Sequence, residues 1–174
     1  KTGSLSISDC TFNDCSAEHF ACFELNALDS VTFTGNTIKN CRYNDNLGKM
    51  HVSVATNELS QIITDCHLIN NTKISSQVVD SSGLWFSSLS EVLKLIFETC
   101  EFIGNSLQVG SGGCGLISHG SQTFLDIIES IFTNNYSPED GGTICINNAH
   151  SVYIYNSQFN GNSCGGRGGA FFAS

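Results

Sequence analysis

Positive charge, proline and long apolar runs are all scarce in these 174 residues, and each shortage removes a class of function. Lysine and arginine total 7 against 16 for aspartate and glutamate, a formal charge of −9 that would repel phosphate backbones, so no nucleic-acid partner is expected. No stretch of about 18 apolar residues is present, which excludes a helical membrane span in this segment, and Lys1-Thr2-Gly3-Ser4 lacks the basic and apolar regions of a secretory signal. Charged residues make up only 13% of the chain and proline occurs once, a balance poor for surface helices and for disorder. The nine cysteines contain no CxxC pair and no paired Cys/His spacing of a structural zinc site, so no metal and no cofactor is expected.

What the chain does have is a repeat. The segments Leu5 to Cys15, Val31 to Cys41, Gln61 to Asn71, Leu95 to Asn105, Leu125 to Asn135 and Val152 to Asn162 align without gaps. Their anchor column is Phe12, Ile38, Leu68, Phe102, Phe132 and Phe159, spaced by 26, 30, 34, 30 and 27 residues. Five places earlier stand Ile7, Phe33, Ile63, Phe97, Ile127 and Ile154, and two places earlier stand Cys10, Asn36, Cys66, Cys100, Ser130 and Ser157. Apolar and polar residues alternate with period two at the start of each segment, and β-branched and aromatic types fill it, which is a strand signal. Ser90 to Glu98 would also satisfy a helical face through Val92, Leu93 and Ile96, and its place in the alignment decides for strand.

A unit this small cannot bury its own apolar face and must stack on copies of itself. The expected fold is therefore all-β, a parallel β-helix of about six coils forming a single segment of a longer solenoid, with the anchor column as an internal core stack. Three places after the anchor stand Cys15, Cys41, Asn71, Asn105, Asn135 and Asn162. This column is expected to make the turn, since Asn tolerates the left-handed conformation, and to run as a structural ladder of stacked amides. The pairs Gly112-Gly113, Gly141-Gly142 and Gly168-Gly169 let the chain re-enter the wall, and neither a following Lys-Ser/Thr nor a GxGxxG makes them a phosphate loop.

The recurring Phe-x-x-Asn of Phe102-Ile103-Gly104-Asn105, Phe132-Thr133-Asn134-Asn135 and Phe159-Asn160-Gly161-Asn162, followed closely by Gly-Gly-Ala/Thr-Phe/Ile as in Gly141-Gly142-Thr143-Ile144 and Gly168-Gly169-Ala170-Phe171, resembles the repeat of the polymorphic outer membrane proteins. The resemblance covers roughly Phe97 to Ser174; in the earlier repeats Cys replaces Asn at Cys15 and Cys41 and no Gly-Gly follows. It implies a right-handed β-helix displayed on the cell surface, outside the cell, with a role in adhesion. The protein or glycan ligand would then meet the variable loops, the longest running from Thr72 to Gly83 just before Trp85.

Pectin-lyase-like enzymes share the β-helix architecture, so polysaccharide cleavage is the alternative, and it must be argued from a site. The polar column Asp9, Gly35, Asp65, Thr99, Glu129 and Asn156 places no two acids on successive coils and reads as a solvated face. His19, His51, His67, His119 and His150 occupy different columns with no nucleophile fixed beside them. No catalytic residues are therefore expected. Cys15 and Cys41 are column neighbours, as are Cys66 and Cys100, and stacked reduced thiols in the core are favoured over bridges. Cys164, in an expected loop from Ser163 to Arg167, is the candidate exposed thiol. Asn70 heads an accessible glycosylation sequon, usable if the source is eukaryotic, whereas the sequon at Asn135 falls in the ladder. The chain stops inside a strand at Phe171-Phe172-Ala173-Ser174 without a polar cap, which raises a third reading, a filament subunit that self-associates end to end.

Overall fold

The computed structural model describes residues 3–18, 20–27, 29–44, 46–52, 60–74, 84–88, 92–109, 116–119 and 122–174. Every regular element among them is a β-strand, and every strand pairing is parallel. The chain winds as a β-solenoid whose walls are three six-stranded sheets and one short ribbon, in which Ser16–Ala17, Arg42–Tyr43 and Thr72–Lys73 continue through single bridges at Ser106 to Tyr136–Ser137 and Ser163–Cys164. The first wall stacks Ser4–Ser8, Ser30–Thr34, Ser60–Thr64, Val92–Glu98, Gln122–Ile128 and Ala149–Tyr155. The second stacks Thr11–Asn13, Thr37–Lys39, His67–Ile69, Glu101–Ile103, Ile131–Thr133 and Gln158–Asn160. The third stacks Phe20–Ala27, Asn46–Val52, Leu84–Ser88, Leu116–His119, Ile144–Ile146 and Phe171–Ala173.

Register places the aligned columns one above another. Phe12 pairs with Ile38, Ile38 with Leu68, Leu68 with Phe102, Phe102 with Phe132 and Phe132 with Phe159. The column five places earlier runs likewise from Ile7 through Phe33, Ile63, Phe97 and Ile127 to Ile154. The strand period of two decides what is inside. In Val92–Glu98, Leu93, Leu95 and Phe97 are buried while Lys94 and Ile96 alternate outward, so the segment that also fits a helix is a strand.

Parallel stacking brings like side chains together. The Phe102 and Phe132 rings stack 4.8 Å apart at 7°, and Phe132 and Phe159 stack 4.7 Å apart at 5°. Phe97 meets Phe86 of the third wall edge-on at 5.7 Å, which ties the walls together across the interior.

Two corners per coil are made by left-handed residues. After the first wall these are Asp9, Gly35, Asp65, Thr99, Glu129 and Asn156, with φ between 47° and 66°. After the second wall they are Asp14, Asn40, Asn70, Gly104, Asn134 and Gly161, with φ between 53° and 63°. The second corner corrects the sequence reading, and the first adds to it. The turn sits one residue before the ladder column, because a left-handed residue there swings the next Cα–Cβ bond into the coil; none of the ladder residues has positive φ. The polar column beginning at Asp9 is a corner, and its Asp, Gly and Asn content reflects left-handed tolerance. Thr99 and Glu129, poorer at that conformation, are held by backbone donation to Ile128 and Tyr155 of the following coil at 3.0 and 2.9 Å.

Gly141, at φ 68°, and Gly142 form a third turn into the third wall, and a Cβ on Gly142 would run into the carbonyl oxygen of Gly169 one coil later. Gly112-Gly113 lies outside the described residues.

Phe132 is fully buried between two parallel rings, whereas Phe159 is only half-buried, so Phe132→Ala is expected to cost about 3–5 kcal/mol and Phe159→Ala distinctly less. Denaturant unfolding of the two variants side by side measures the difference.

Candidate functional site

The most highly organised chemistry in the molecule is the polar lining of its corners. Behind the second corner, the Asn105 Oδ1 accepts from the Asn71 backbone N–H at 3.1 Å, and the Asn105 Nδ2 donates to the Leu68 carbonyl at 2.8 Å. The same pair of bonds recurs one coil on, where Asn135 serves Asn105 and Phe102 at 3.0 and 2.8 Å, and again where Asn162 serves Asn135 and Phe132 at 2.9 and 2.8 Å. Amide-to-amide bonds join Asn71 to Asn105, Asn105 to Asn135 and Asn135 to Asn162 at 2.9, 3.0 and 3.0 Å. Asn71, Asn105 and Asn135 are buried, so the expected structural ladder is present, with Asn71 also linking to Cys41 and Ile38 at 3.0 Å each.

A second ladder, which the alignment shows only as a column of small residues, lines the first corner. Asn36 accepts from the Cys10 backbone N–H at 2.9 Å and donates to the Ile7 carbonyl at 2.9 Å. Ser130 accepts from the Cys100 N–H and Ser157 from the Ser130 N–H, both at 3.1 Å. Cys66 and Cys100 continue this column as thiol donors to the Phe33 and Ile63 carbonyls of the preceding coil, both at 3.3 Å. The column thus needs a small side chain with at least one polar atom, which is why Cys, Asn and Ser interchange along it.

On the outside, the Thr99 hydroxyl donates to the Asp65 carboxylate, and His67 Nδ1 lies 3.0 Å from Glu101 Oε2. His150 packs its ring against Phe124 at 4.7 Å. His19 and the side chains of His51 and His119 lie outside the described residues. Asp140 and Arg167 pair between successive coils at 2.7 Å, and the guanidinium holds the Asp140 carboxyl below the usual carboxylate range. The Arg167 guanidinium also lies 4.3 Å above the Phe172 ring.

Asn70 is an exposed corner residue, as its sequon reading requires. Cys164, by contrast, is half-buried on the short strand Ser163–Cys164, which pairs with Tyr136–Ser137, and Cys10 is the exposed thiol among the described residues. The short ribbon has no apolar alternation to announce it, so the sequence suggests a loop there. Thr72–Lys73 belongs to the same ribbon, with Lys73 buried in the register position that Tyr43 holds one coil earlier. Trp85 falls on the third wall, and residues 75–83 and the Trp85 side chain lie outside the described residues.

One grouping was not foreseen. Cys22 is brought against the ladder position of Cys15 and Cys41, and the three sulfurs lie within 4.8 Å of one another. It is the one group of three or more Cys, His or acidic side chains placed to share a cation among the described residues. Sequence spacing could not show it, because Cys22 belongs to the third wall.

Residues 129–147 match the Chlamydia polymorphic membrane protein repeat. The matched stretch runs from the corner residue Glu129 through the stacked Phe132 and ladder Asn135 to the glycine pair and the third-wall strand Ile144–Ile146. It is thus one passage through both corners and into the third wall, and the repeat resemblance seen in Phe132-Thr133-Asn134-Asn135 stands. No curated protein and no solved structure matches the chain.

Asn105→Leu keeps the volume but strips partners from the Asn71 N–H and the Leu68 carbonyl, and is expected to cost about 1–3 kcal/mol for each group; Asn134→Gly, at an exposed left-handed corner, should be close to neutral. Urea midpoints of the two variants check this. Alkaline stability follows from the thiols. Burial, and next the Asp140 charge, push Cys145 up from 9.0 to about 11, so the folded state holds its proton more tightly than the unfolded state. The associated stability is complete below about pH 9 and is lost as pH rises towards 11, and Cys145→Ala should flatten that decline in a pH series of thermal melts.

Proposed function

We propose that the chain is a non-enzymatic scaffold displayed on the cell surface, which adheres to a protein or glycan on another surface through loops carried outside its walls. The observation that carries this reading is the match of residues 129–147 to a repeat of an outer-membrane-associated family. The division of labour within each coil supports it. Corners and walls are fixed by inward ladders and register, whereas chain length varies in the connections to the third wall, from residues 44–45 after Arg42–Tyr43 to residues 74–83 after Thr72–Lys73. Such segments are free to diverge without disturbing the stack.

Polysaccharide cleavage has weaker support. Asp9, Asp65 and Glu129 stand at left-handed corners and alternate along their column with Gly35, Thr99 and Asn156. Their residue types answer to the turn, and no two carboxylates of that column face each other on successive coils as an acid pair would require.

Replacing residues 74–83 with a Gly/Ser tract of equal length tests the adhesive reading on purified protein applied to cultured animal cells. Saturable binding should be lost while the β-sheet circular dichroism spectrum is unchanged. Binding that survives this and equivalent replacements of the other connections would sink the loop-mediated mechanism.

A further inference from the structure

We infer that Cys15, Cys22 and Cys41 form a three-thiolate site for a divalent thiophilic cation of the zinc class, with its fourth position open to water or an outside ligand. This site stands apart from the adhesive reading and does not depend on it.

Geometry comes first. The three sulfurs lie within 4.8 Å of one another, with Cys22 and Cys41 at 3.5 Å. A tetrahedral zinc with bonds of about 2.3 Å needs sulfur-to-sulfur edges of about 3.8 Å, so the three atoms already outline one face of such a tetrahedron. Cys41 is buried while Cys15 and Cys22 are half-buried, which leaves the fourth vertex reachable from solvent.

The way the chain assembles this face is the second argument. The ladder column is Asn in four coils and Cys in the two coils that Cys22 faces. Cys22 reaches that column because the pairing of Phe20–Ala27 with Asn46–Val52 slips between Phe20 and Phe23, which re-aims the intervening residues. Where an Asn would bond to the neighbouring coil, Cys15 Sγ lies 3.8 Å from the Asn13 carbonyl of its own coil, and Cys41 Sγ lies 3.8 Å from the Phe12 carbonyl of the preceding coil and 3.3 Å from the Lys39 carbonyl of its own. The amide ladder is thus interrupted at the one place where a third sulfur converges.

Charge is the third argument. Three thiolates gathered this closely in a part-buried position repel one another and are costly to desolvate. A divalent cation displaces three protons and leaves the site with a single negative charge, which a half-buried position tolerates and three bare thiolates would not. The chain's net charge of −9 also favours a cation. Cys66 and Cys100, the other thiol neighbours, have no third sulfur, histidine or carboxylate ligand among the described residues and serve the first-corner ladder.

The test uses the full chain, reduced and handled without air, titrated with Co(II) and then Zn(II). One equivalent of Co(II) should give near-ultraviolet sulfur-to-cobalt charge transfer with the intense visible bands of a tetrahedral ion, and Zn(II) should displace it. X-ray absorption of the zinc form should show three sulfurs and one lighter ligand. Cys22→Ser and Cys15→Ser should each abolish that equivalent, and Cys10→Ser and Cys66→Ser should retain it, all four keeping the β-sheet circular dichroism spectrum. Absence of the cobalt bands in the reduced chain, their persistence in Cys22→Ser, or a Cys22–Cys41 disulfide in protein alkylated at lysis would each overturn the site.

Discussion

Parallel coil-on-coil pairing is the constraint from which everything else in this molecule follows. A coil has no partner within itself for most of its backbone N–H and C=O groups, so each strand borrows both neighbours, and the strand spacing of about 4.8 Å then dictates that like positions sit over like. Stacked phenylalanines, continuous amide ladders and repeated left-handed corners are consequences of that borrowing. At the corners the walls stop pairing, and the backbone groups that point inward would be stranded without water. Asn solves this at the second corner with a donor and an acceptor on one planar group, each aimed at the preceding coil.

The first corner meets the same need more loosely. There Asn36 bonds through both ends of its amide while Cys100, Ser130 and Ser157 each contribute a single small polar group, and the column tolerates their exchange because each of these bonds is made with the coil next door. Set against that tolerance, the change from Asn to Cys at Cys15 and Cys41 is of another kind, since it abandons two-handed amide bonding for weaker sulfur contacts.

Much of this was legible in the sequence because the alignment reports the same periodicity that the coils obey. The anchor column from Phe12 to Phe159 and the inner column from Ile7 to Ile154 fall in register as read, and Asn71, Asn105, Asn135 and Asn162 form the ladder. The turn lies one residue before the column where the sequence suggests it, since Asn is suited both to left-handed backbone and to amide stacking, and the sequence does not say which property a given Asn is using. Asn134 and Asn135 divide the two roles between them. The short ribbon escaped because two-residue strands such as Ser163–Cys164 carry no alternation. Cys22 escaped because its position depends on a register slip in the third wall, a property of pairing and not of spacing.

The two left-handed corners flank a three-residue strand and bear a constant offset to it in every coil, while the distance from one coil to the next varies only elsewhere. The stretch from the first wall to the ladder is therefore a phase-locked cassette. A genetic exchange that joins one repeat to another at equivalent columns adds or deletes a whole coil without shifting any side chain from inside to outside. Such a chain can change length by unequal recombination and still fold, so copy number becomes a heritable variable that single substitutions never touch.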